Sequence, residues 1–504
     1  MANGFIGKIL IVNLTSMQVN VESRDERFFK TYMGGQGIGV YYLLNELSKE
    51  SAFSPDNLLI FAAGLLTGTH SPCAPRYTVI SKSPLTGGLG KSEAGGFWGA
   101  ELKRAGYDAV VIKGRASLPV YVCIYDDNVE IRNASKIWGK VTGEAEDIIK
   151  DELNDKTIKI AQIGPAGENR VYFAGIVNEL SHFNGRNGLG AVMGSKNLKA
   201  IVVKGKNRVK EYNSKPIIET LKWVSKEFKN HPLSSALHEY GTPLGVGGAN
   251  AGGVLPTNNW QTGVFDKAED ISVDNFQNYL IERGGCYSCP IKCKRVVEID
   301  NDRFKVDKKY GGPEYETLSA LGSNCGIGNV ELIIKANEIC NMYGIDTIST
   351  GMAVSFAMHC FEEGLLSTRD TDGLELRFGN EKAILPLIEK IAYRNGFGNI
   401  LADDTKRAAE KIGRESKKFL LEVKGQEIPM HDPRVKTGLG LQYALSLNGA
   451  DHWFAQHDPF FTEEVSLGMK AIAPLGFISP IPATDLSLDK VKLVLYTSWL
   501  NSLY

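Results

Sequence analysis

Three cysteines within eight residues are the feature of this 504-residue sequence that most directly suggests chemistry. Cys286, Cys289 and Cys293 follow the pattern C-x2-C-x3-C. A single strand or helix cannot direct three side chains to one point at that spacing, whereas a tight loop rich in glycine and proline can. Thiolates gathered in this way bind a soft metal centre, which is either an iron–sulfur cluster or zinc.

The sequence around these cysteines favours an iron–sulfur cluster. Structural zinc draws on two separated ligand pairs or on a nearby histidine, and the histidines closest in sequence lie more than 40 residues away. A [4Fe–4S] cluster with three clustered thiolates and one remote ligand therefore fits better. Zinc and free structural cysteines remain the alternatives. Eight cysteines in the chain are too few for a disulfide framework.

A group of histidines in the last segment of the chain could transfer protons. His431, His452 and His457 fall within 27 residues, and each has an aspartate next to it in sequence. A carboxylate can fix the tautomer of an imidazole, so such pairs suit general acid–base chemistry. Isolated core or surface histidines are the alternative interpretation.

Glycine-rich stretches in the first 200 residues indicate places where the backbone comes close to a flat or phosphorylated group. Two of them, residues 84–99 and 184–196, are predicted as loops that could hold a large planar cofactor with phosphate arms. Ordinary tight turns are the alternative. Residues 34–39 resemble a dinucleotide fingerprint, but no clear strand precedes them, so we interpret them as a loop that opens a helix.

The elements that must position these residues predict an α+β fold. We expect a strand-rich base domain over residues 1–208, a helical domain over 209–420 and a second helical domain over 421–504. Short apolar runs predict strands over residues 8–14, 58–63, 109–113, 119–125 and 199–203.

Helical periodicity dominates the second half of the chain. It predicts one helix that Asn329 caps and Gly344 ends, and two more over residues 347–365 and 382–394. Cys325, Cys340 and Cys360 lie in this helical region and are predicted to be buried apolar residues. A last helix over residues 487–503 ends in apolar residues without a glycine stop, which predicts that more polypeptide, from this chain or another, covers it.

Composition excludes several classes of function. A formal net charge of −1 provides no field that would attract nucleic acid. The N-terminus has no basic region followed by an apolar core, and no apolar run reaches about 18 residues, so neither a signal peptide nor a membrane helix is predicted. We therefore predict a cytoplasmic location.

Taken together, these segments resemble the tungsten-containing aldehyde:ferredoxin oxidoreductase family over nearly the whole chain. Besides the three-cysteine loop, the similarity is carried by residues 4–15, 74–77, 93–99, 188–196, 312–317 and 344–349. The resemblance implies a tungsten or molybdenum ion held by the dithiolene sulfurs of two pterins. The strand-rich domain would form the base for the pterins, and the helical domains would cover them, with a [4Fe–4S] cluster beside one pterin.

The resemblance also implies roles for individual residues. Cys286, Cys289 and Cys293 would bind the cluster, and Arg76 would bridge cluster and pterin as a fixed cation. Mg²⁺ would lie between the pterin phosphates, held by Glu93, where the family more often has asparagine, and by the backbone near Asn184. The other expected pterin contacts are Gly95, Gly96, Gly185, Arg186, Asn341, Gly344, Ile345 and Asp346.

The family motif at the last of these positions usually reads Asp-x-x-Gly-Leu-Asp, so Asn341 and Ile345 depart from it. In the family, a second copy of the motif carries the fourth cluster cysteine and follows a helix like that over residues 487–503. This sequence stops before such a copy. The resemblance therefore implies that the chain is a fragment, or that a separate polypeptide completes the site.

For catalysis, the resemblance places Glu316 and His452 near the metal. A carboxylate in a dry pocket can act as general base toward water or a hydroxyl group, and His452 could donate to the carbonyl oxygen of an aldehyde. Two electrons would then pass through pterin and cluster to ferredoxin or a ferredoxin-like iron–sulfur subunit. Homo-oligomerisation is an option that the resemblance leaves open.

The segment around His452 is acidic and aromatic, whereas typical aldehyde oxidisers have an arginine and paired glycines there. This departure resembles two divergent branches, the class II benzoyl-CoA reductases and the hydroxycarboxylate viologen oxidoreductases. Reduction of an acyl or carboxylate substrate is therefore an alternative to aldehyde oxidation. A non-catalytic iron–sulfur electron-transfer scaffold is a further alternative.

Overall fold

The computed structural model describes residues 3–46, 50–464 and 466–502 of the chain. Its first 204 residues contain twelve of the described strands, which are β1 (Lys8–Asn13), β2 (Gln18–Ser23), β3 (Leu59–Ala63), β4 (Tyr77–Lys82), β5 (Leu89–Ala94), β6 (Ala109–Lys113), β7 (Val120–Tyr125), β8 (Asn128–Asn133), β9 (Lys159–Gln162), β10 (Ile176–Asn178), β11 (His182–Asn184) and β12 (Leu198–Lys204). They form two six-stranded sheets, in the orders β2-β1-β6-β3-β4-β5 and β11-β10-β9-β12-β7-β8.

Six helices accompany the sheets, and these are α1 (Glu26–Tyr32), α2 (Gly35–Asn45), α3 (Trp98–Arg104), α4 (Thr142–Glu152), α5 (Pro165–Glu168) and α6 (Leu189–Ser195). Helices α3 and α6 contact strands of both sheets, and their apolar side chains share one core with the facing strands. Helices α1 and α2 cover the other face of the first sheet, and α4 covers the other face of the second. The central strands are thus buried on both faces, which explains their continuous apolar runs.

One buried tryptophan illustrates how α3 joins the two sheets. The Trp98 ring is fully buried against Phe61 and Tyr77 of the first sheet. Its indole N–H donates to the carbonyl of Ile201 in the second sheet at 3.0 Å. A buried indole N–H without a partner would offset part of the stabilisation from burying the ring, and here the N–H is paired.

The remaining part of the chain is mainly helical. Its helices are α7 (Ser214–Glu227), α8 (Pro232–Tyr240), α9 (Gly245–Ala251), α10 (Val273–Phe276), α11 (Tyr315–Ala320), α12 (Val330–Tyr343), α13 (Thr347–Glu362), α14 (Glu381–Ala392), α15 (Phe397–Leu401), α16 (Thr405–Ile412), α17 (Thr437–Leu445), α18 (Leu467–Ile472) and α19 (Leu488–Asn501). Three antiparallel two-stranded pairs interrupt them, and their strands are β13 (Leu280–Gly284), β14 (Lys294–Val297), β15 (Ile299–Asp300), β16 (Lys305–Val306), β17 (Glu422–Val423) and β18 (Gln426–Glu427).

Local signals set the ends of the central helix α12. The Asn329 side chain accepts the backbone N–H of Leu332 at the N-terminus, and Gly344 at the C-terminus adopts a left-handed φ of +69°. Any side chain at position 344 would be strained, and its Cβ would lie 2.6 Å from the backbone nitrogen of Gly164. Both predicted ends of this helix are confirmed.

The α+β fold and the five predicted strands are confirmed, and so is the burial of Cys325, Cys340 and Cys360. Residues 34–39 open helix α2, as interpreted. Ser487 caps α19, while residues 503–504 of the predicted last helix lie outside the described residues. Within the described residues, no helix combines the length and apolarity needed to span a membrane.

The two glycine-rich stretches were predicted as loops, and in part this was wrong. Residues Leu89–Ala94 form strand β5, which pairs with β4 along its full length. Residues Leu189–Ser195 form helix α6, all of it buried. Alternating small residues fit the crowded space beside β4 and between the sheets, so close packing overrides the loop tendency of glycine.

Candidate metal and redox site

The three-cysteine segment is a loop held at both ends by the antiparallel pair β13–β14. Within it, the backbone N–H of Cys289 donates to the carbonyl of Cys286 at 3.2 Å. The loop is docked on the first sheet, because the N–H of Tyr287 donates to the carbonyl of Gly96 at 3.1 Å and its hydroxyl donates to the carbonyl of Gly68 at 3.2 Å. Gly68 precedes strand β4 and Gly96 follows strand β5, so segments that flank these two paired strands fix where the thiols lie.

Cys286 faces the turn that follows strand β5. A Cβ at Gly95 would lie 2.8 Å from the Cys286 sulfur, so only glycine fits there. On another side, Nε2 of His182 lies 3.5 Å from the same sulfur. Burial lowers the pKa of His182 to about 3, so its imidazole is neutral. Its Nδ1 has no hydrogen-bond partner in the part of the chain that the structure describes.

A fourth thiol lies beside the loop. The sulfur of Cys73 is 3.6 Å from that of Cys289, although the two residues are 216 positions apart. The hydrogen bond between them is the main reason why the pKa of Cys289 lies below, and that of Cys73 above, the usual thiol value. Our sequence analysis missed Cys73, because nothing in its local pattern links it to a loop so distant in sequence.

Arg76 lies between the cysteine loop and the histidine group. Its guanidinium carbon is 5.0 Å from the centroid of the Trp453 ring, and Trp453 contacts His452. Its positive charge also contributes to lowering the pKa of Cys289, after the hydrogen bond from Cys73 and two backbone hydrogen bonds. A cation at this position suits two neighbouring anionic groups.

Glu316, in the first turn of α11, is the centre of the second group. Its Oε2 accepts the backbone N–H of Met430 at 2.8 Å, which fixes the carboxylate. Its Oε1 lies 3.1 Å from Nε2 of His431 and 3.9 Å from Nε2 of His452. This Oε1 is buried, and although His431 lies at contact distance, no described residue meets it with hydrogen-bond geometry, which leaves it able to accept from a ligand. The three side chains could also hold a metal ion.

Burial keeps the histidines of this group neutral. It lowers the pKa of His431, His452 and His457 to about 3 each. Nζ of Lys436 lies 3.3 Å from Nδ1 of His431. Because an ammonium group only donates, Nδ1 accepts, and the ring proton of His431 is on Nε2, the nitrogen nearest Glu316. The sequence indicated His431 only as one of three histidines that could transfer protons, and its contact with Glu316 is what the tertiary structure adds.

The expected pterin-binding residues meet where the second sheet contacts helix α13. Nη1 of Arg186 lies 3.1 Å from Oδ2 of Asp346, and Arg186 also donates to the carbonyl of Glu427. Asp346 caps α13 by accepting the backbone N–H groups of Ile348 and Ser349 at 3.2 and 3.0 Å. Gly185 adjoins this pair, since a Cβ there would lie 3.5 Å from the Asp346 carboxylate.

The other three residues of the Asn341-x-x-Gly344-Ile345-Asp346 motif make contacts within the protein. The Asn341 amide donates to the carbonyl of Tyr310 at 2.8 Å, and the Ile345 side chain is buried. Gly344 has no side chain and ends helix α12. Asn341, Gly344 and Ile345 thus lie directly before the Asp346 cap, and their contact with a pterin stays a prediction.

Oxygen donors for a hard cation lie near strand β5. Oδ1 of Asn184 is buried without a hydrogen-bond partner among the described residues, while its amide nitrogen donates to the carbonyl of Ser92 at 2.9 Å. The next residue, Glu93, carries a carboxylate 3.1 Å from the ammonium of Lys91. Amide and carboxylate oxygens are what Mg²⁺ prefers.

Two family models together match almost all of the chain. "Aldehyde ferredoxin oxidoreductase, N-terminal domain" matches residues 9–205, and "Aldehyde ferredoxin oxidoreductase, domains 2 & 3" matches residues 219–504. The chain belongs to the aldehyde ferredoxin oxidoreductase family. The resemblance seen in the sequence is thereby confirmed.

Comparison with individual proteins supports the same family assignment. The tungsten-containing aldehyde ferredoxin oxidoreductase of Pyrococcus abyssi is 43% identical over 508 residues, which cover 99% of this chain and 80% of that protein. That of Pyrococcus furiosus is 40% identical, with the same coverage. The aliphatic sulfonate oxidoreductase, WOR-like subunit, of Pyrococcus furiosus is 35% identical and covers 88% of this chain and 74% of that protein.

A solved structure shares the fold of this family member. A chain of the active site complex BamBC of benzoyl coenzyme A reductase superposes with a TM-score of 0.79 at 28% identity. The match covers 90% of this chain and 71% of that chain.

The residues of this family member fit the cofactors of the family. The clustered thiols provide the ligands that an iron–sulfur cluster needs. The buried oxygens Oδ1 of Asn184 and Oε1 of Glu316 have no hydrogen-bond partner among the described residues, which leaves them able to accept from, or coordinate, a bound group. The family cofactors are a tungsten bis-pterin, a [4Fe–4S] cluster and Mg²⁺, and these donor types match the cluster and Mg²⁺.

Proposed function

We propose that this protein oxidises an aldehyde to a carboxylic acid. Water supplies the added oxygen, and two protons and two electrons are released. The electrons go through a tungsten or molybdenum bis-pterin and a [4Fe–4S] cluster to ferredoxin. The observation that carries this proposal is the Glu316 carboxylate. One of its oxygens is fixed by a backbone N–H, and the other is buried, unpartnered among the described residues and flanked by two neutral histidines.

The residues of the chain provide proton transfer and positioning. Glu316 Oε1 is free to accept a proton from water or a hydroxyl group as the new C–O bond forms. Neutral His452 can donate toward the carbonyl oxygen, where negative charge develops. The N–H of Met430 holds the carboxylate in place, so its orientation is not lost between turnovers.

The cofactors supply the redox chemistry: when bound, the metal–pterin group takes up the electron pair and the cluster transfers the electrons singly. For the protein, we propose Cys286, Cys289 and Cys293 as cluster ligands and Arg76 as the cation between cluster and pterin. Arg186 and Asp346, with the glycines 95, 96 and 185, would line the pterins. The oxygens of Asn184 and Glu93 would hold Mg²⁺ between the pterin phosphates.

Ferredoxin, or a ferredoxin-like iron–sulfur subunit, is the electron acceptor that we propose. The relatives' names specify ferredoxin for those proteins. A small aldehyde is the proposed substrate, and the cytoplasm, where reduced ferredoxin is used, is the proposed location. Homo-oligomerisation is compatible with this function and is tested by measuring the mass of the purified protein.

Metal analysis and a substrate panel test the proposal. Protein purified without oxygen is analysed for tungsten, molybdenum, iron and pterin, and assayed with aldehydes, benzoyl-CoA and a 2-hydroxy acid. Tungsten or molybdenum with iron, and ferredoxin reduction by an aldehyde, support it. Turnover of benzoyl-CoA or the hydroxy acid alone would favour the divergent branches. Iron without tungsten or molybdenum, and no turnover, would favour an electron-transfer scaffold.

A further inference from the structure

Cys73 contacts a proposed cluster ligand from the solvent side. Its sulfur lies 3.6 Å from that of Cys289, within the distance of a sulfur–sulfur hydrogen bond, and its side chain is exposed. The contact is built into the backbone, because the N–H of Cys73 donates to the carbonyl of Ser288 at 3.1 Å. The Ser288 hydroxyl in turn donates to the carbonyl of His70 at 3.3 Å.

The short sulfur–sulfur distance distinguishes a hydrogen-bond donor from a ligand. Thiolates that bind different irons of one cluster point outward from separate corners, so their sulfurs diverge. Among the described residues, the sulfurs of Cys286, Cys289 and Cys293 make no hydrogen bonds to one another. The sulfurs of Cys73 and Cys289 do form a hydrogen bond. Cys73 is therefore placed to donate a hydrogen bond to a cluster ligand and not to bind iron itself.

We propose that the Cys73 thiol donates its hydrogen to the Cys289 thiolate and thereby raises the reduction potential of the cluster. The inference rests on the proposed function, because it requires a cluster bound at Cys289. Reduction adds negative charge to the cluster and its sulfurs, and a hydrogen-bond donor stabilises that charge. The donor would therefore stabilise the reduced state of the cluster, and it lies at the edge of the site that faces solvent.

Two substitutions in the full chain, loaded with its cofactors, test this inference. Cys73→Ala removes the donor, and Cys73→Ser keeps one in the form of a hydroxyl group. Cysteine, alanine and serine all carry a Cβ, so all three meet the same left-handed backbone at position 73, where φ is +59°. Cys123→Ala, in buried strand β7 of the other sheet, is the control for loss of a cysteine.

The midpoint potential is measured by an anaerobic redox titration that follows the EPR signal of the reduced cluster. We expect Cys73→Ala to lower the reduction equilibrium constant about fivefold, which is about 40 mV for a one-electron couple. Cys73→Ser and Cys123→Ala should stay close to the wild type. In the wild type, iodoacetamide should alkylate Cys73 without loss of iron and lower the potential in the same direction.

The outcomes separate this inference from the proposed function. Wild-type protein without iron would overturn the proposed function. A wild-type cluster whose potential is unchanged in Cys73→Ala would overturn the inference alone. A [3Fe–4S] signal in Cys73→Ala, or protection of Cys73 from iodoacetamide by the bound cluster, would also overturn it, because Cys73 would then be a ligand.

Discussion

The carboxylate oxygen Oε1 of Glu316 lies 3.1 Å from Nε2 of His431, although more than 100 residues separate them in sequence. The ring of His431 stacks on Tyr315, the residue before Glu316, with centroids 5.1 Å apart. Helix α11 and the segment after β18 therefore place a carboxylate and a neutral imidazole side by side. This pairing defines the first two predictions.

Glu316→Gln should remove the general base while keeping the shape of the side chain. We expect kcat for aldehyde oxidation to fall by roughly 10²- to 10⁴-fold, the usual contribution of a general base. Tungsten and iron content should not change, because the contacts of Glu316 among the described residues are with Met430, His431 and His452, away from the proposed cluster ligands. The matched control is Glu389→Gln, on the exposed face of α14, which should leave kcat unaltered. Wild-type kcat in Glu316→Gln would exclude Glu316 as the base.

His431→Phe should lower kcat with little effect on bound metals. Phenylalanine can keep the stacking on Tyr315, but it loses the Nε2–H beside Glu316 and the Nδ1 acceptor for Lys436. We expect a fall of roughly tenfold or more in kcat, since proton transfer groups contribute on that scale. Steady-state kinetics with metal analysis make the measurement. If only KM changes, His431 shapes the pocket and takes no part in proton transfer.

The buried histidines predict that acid destabilises the folded protein. His431, His452 and His457 have pKa values of about 3 when folded, against about 6.5 when exposed. Between those two pKa values the unfolded chain binds more protons than the folded chain does. The contribution of neutral histidines to the free energy of unfolding is therefore fully present above about pH 6.5, and it falls as the pH decreases. Each such histidine contributes about 1.4 kcal/mol per pH unit within that window.

His457→Gln tests this pH dependence. Glutamine keeps an N–H that can donate to the carbonyl of His452, as Nε2 of His457 does at 2.9 Å, but it does not titrate. Unfolding is followed by circular dichroism at several pH values from 7 to 5. The free energy of unfolding should depend less steeply on pH in the variant, by the contribution of one titrating histidine, which is about 1.4 kcal/mol per pH unit. Equal slopes would mean that His457 is not buried in its neutral form.

Gly95→Ala should impair cluster binding. The new Cβ would lie 2.8 Å from the Cys286 sulfur, so the cysteine loop or strand β5 must shift. We expect less iron per chain, with an unchanged circular dichroism spectrum. Gly88→Ala is the control, because the atom nearest to a Cβ at that position is 3.7 Å away. Full iron content in Gly95→Ala would show that the loop moves at no cost.

Arg186→Lys should destabilise the contact between the second sheet and α13. Lysine cannot reach both Asp346 and the Glu427 carbonyl with the planar geometry of a guanidinium. Because this pair is mostly buried, we expect a loss of about 1–3 kcal/mol, seen as a lower midpoint of unfolding. Arg303→Lys, at an exposed ion pair with Glu381, is the control, expected to cost less than about 1 kcal/mol. Equal losses would argue against a special role for Arg186.

The sequence by itself determined those features that local chemistry fixes. The spacing of Cys286, Cys289 and Cys293 predicts a loop, and Asn329 and Gly344 mark the ends of α12, because turns and caps depend on neighbouring residues. The family resemblance followed from several such segments together. The glycine-rich stretches misled us in part, since the packing that turns them into β5 and α6 is not a local property.

Only the tertiary structure decided which distant side chains meet. Cys73 lies against Cys289 because the cysteine loop docks on the first sheet, and His431 lies against Glu316 because the segment after β18 folds over α11. Such contacts depend on how whole elements pack, and hydrophobic periodicity reports only which face of an element is buried. The reason is physical: each contact joins residues more than 100 positions apart, and no local preference encodes that partnership.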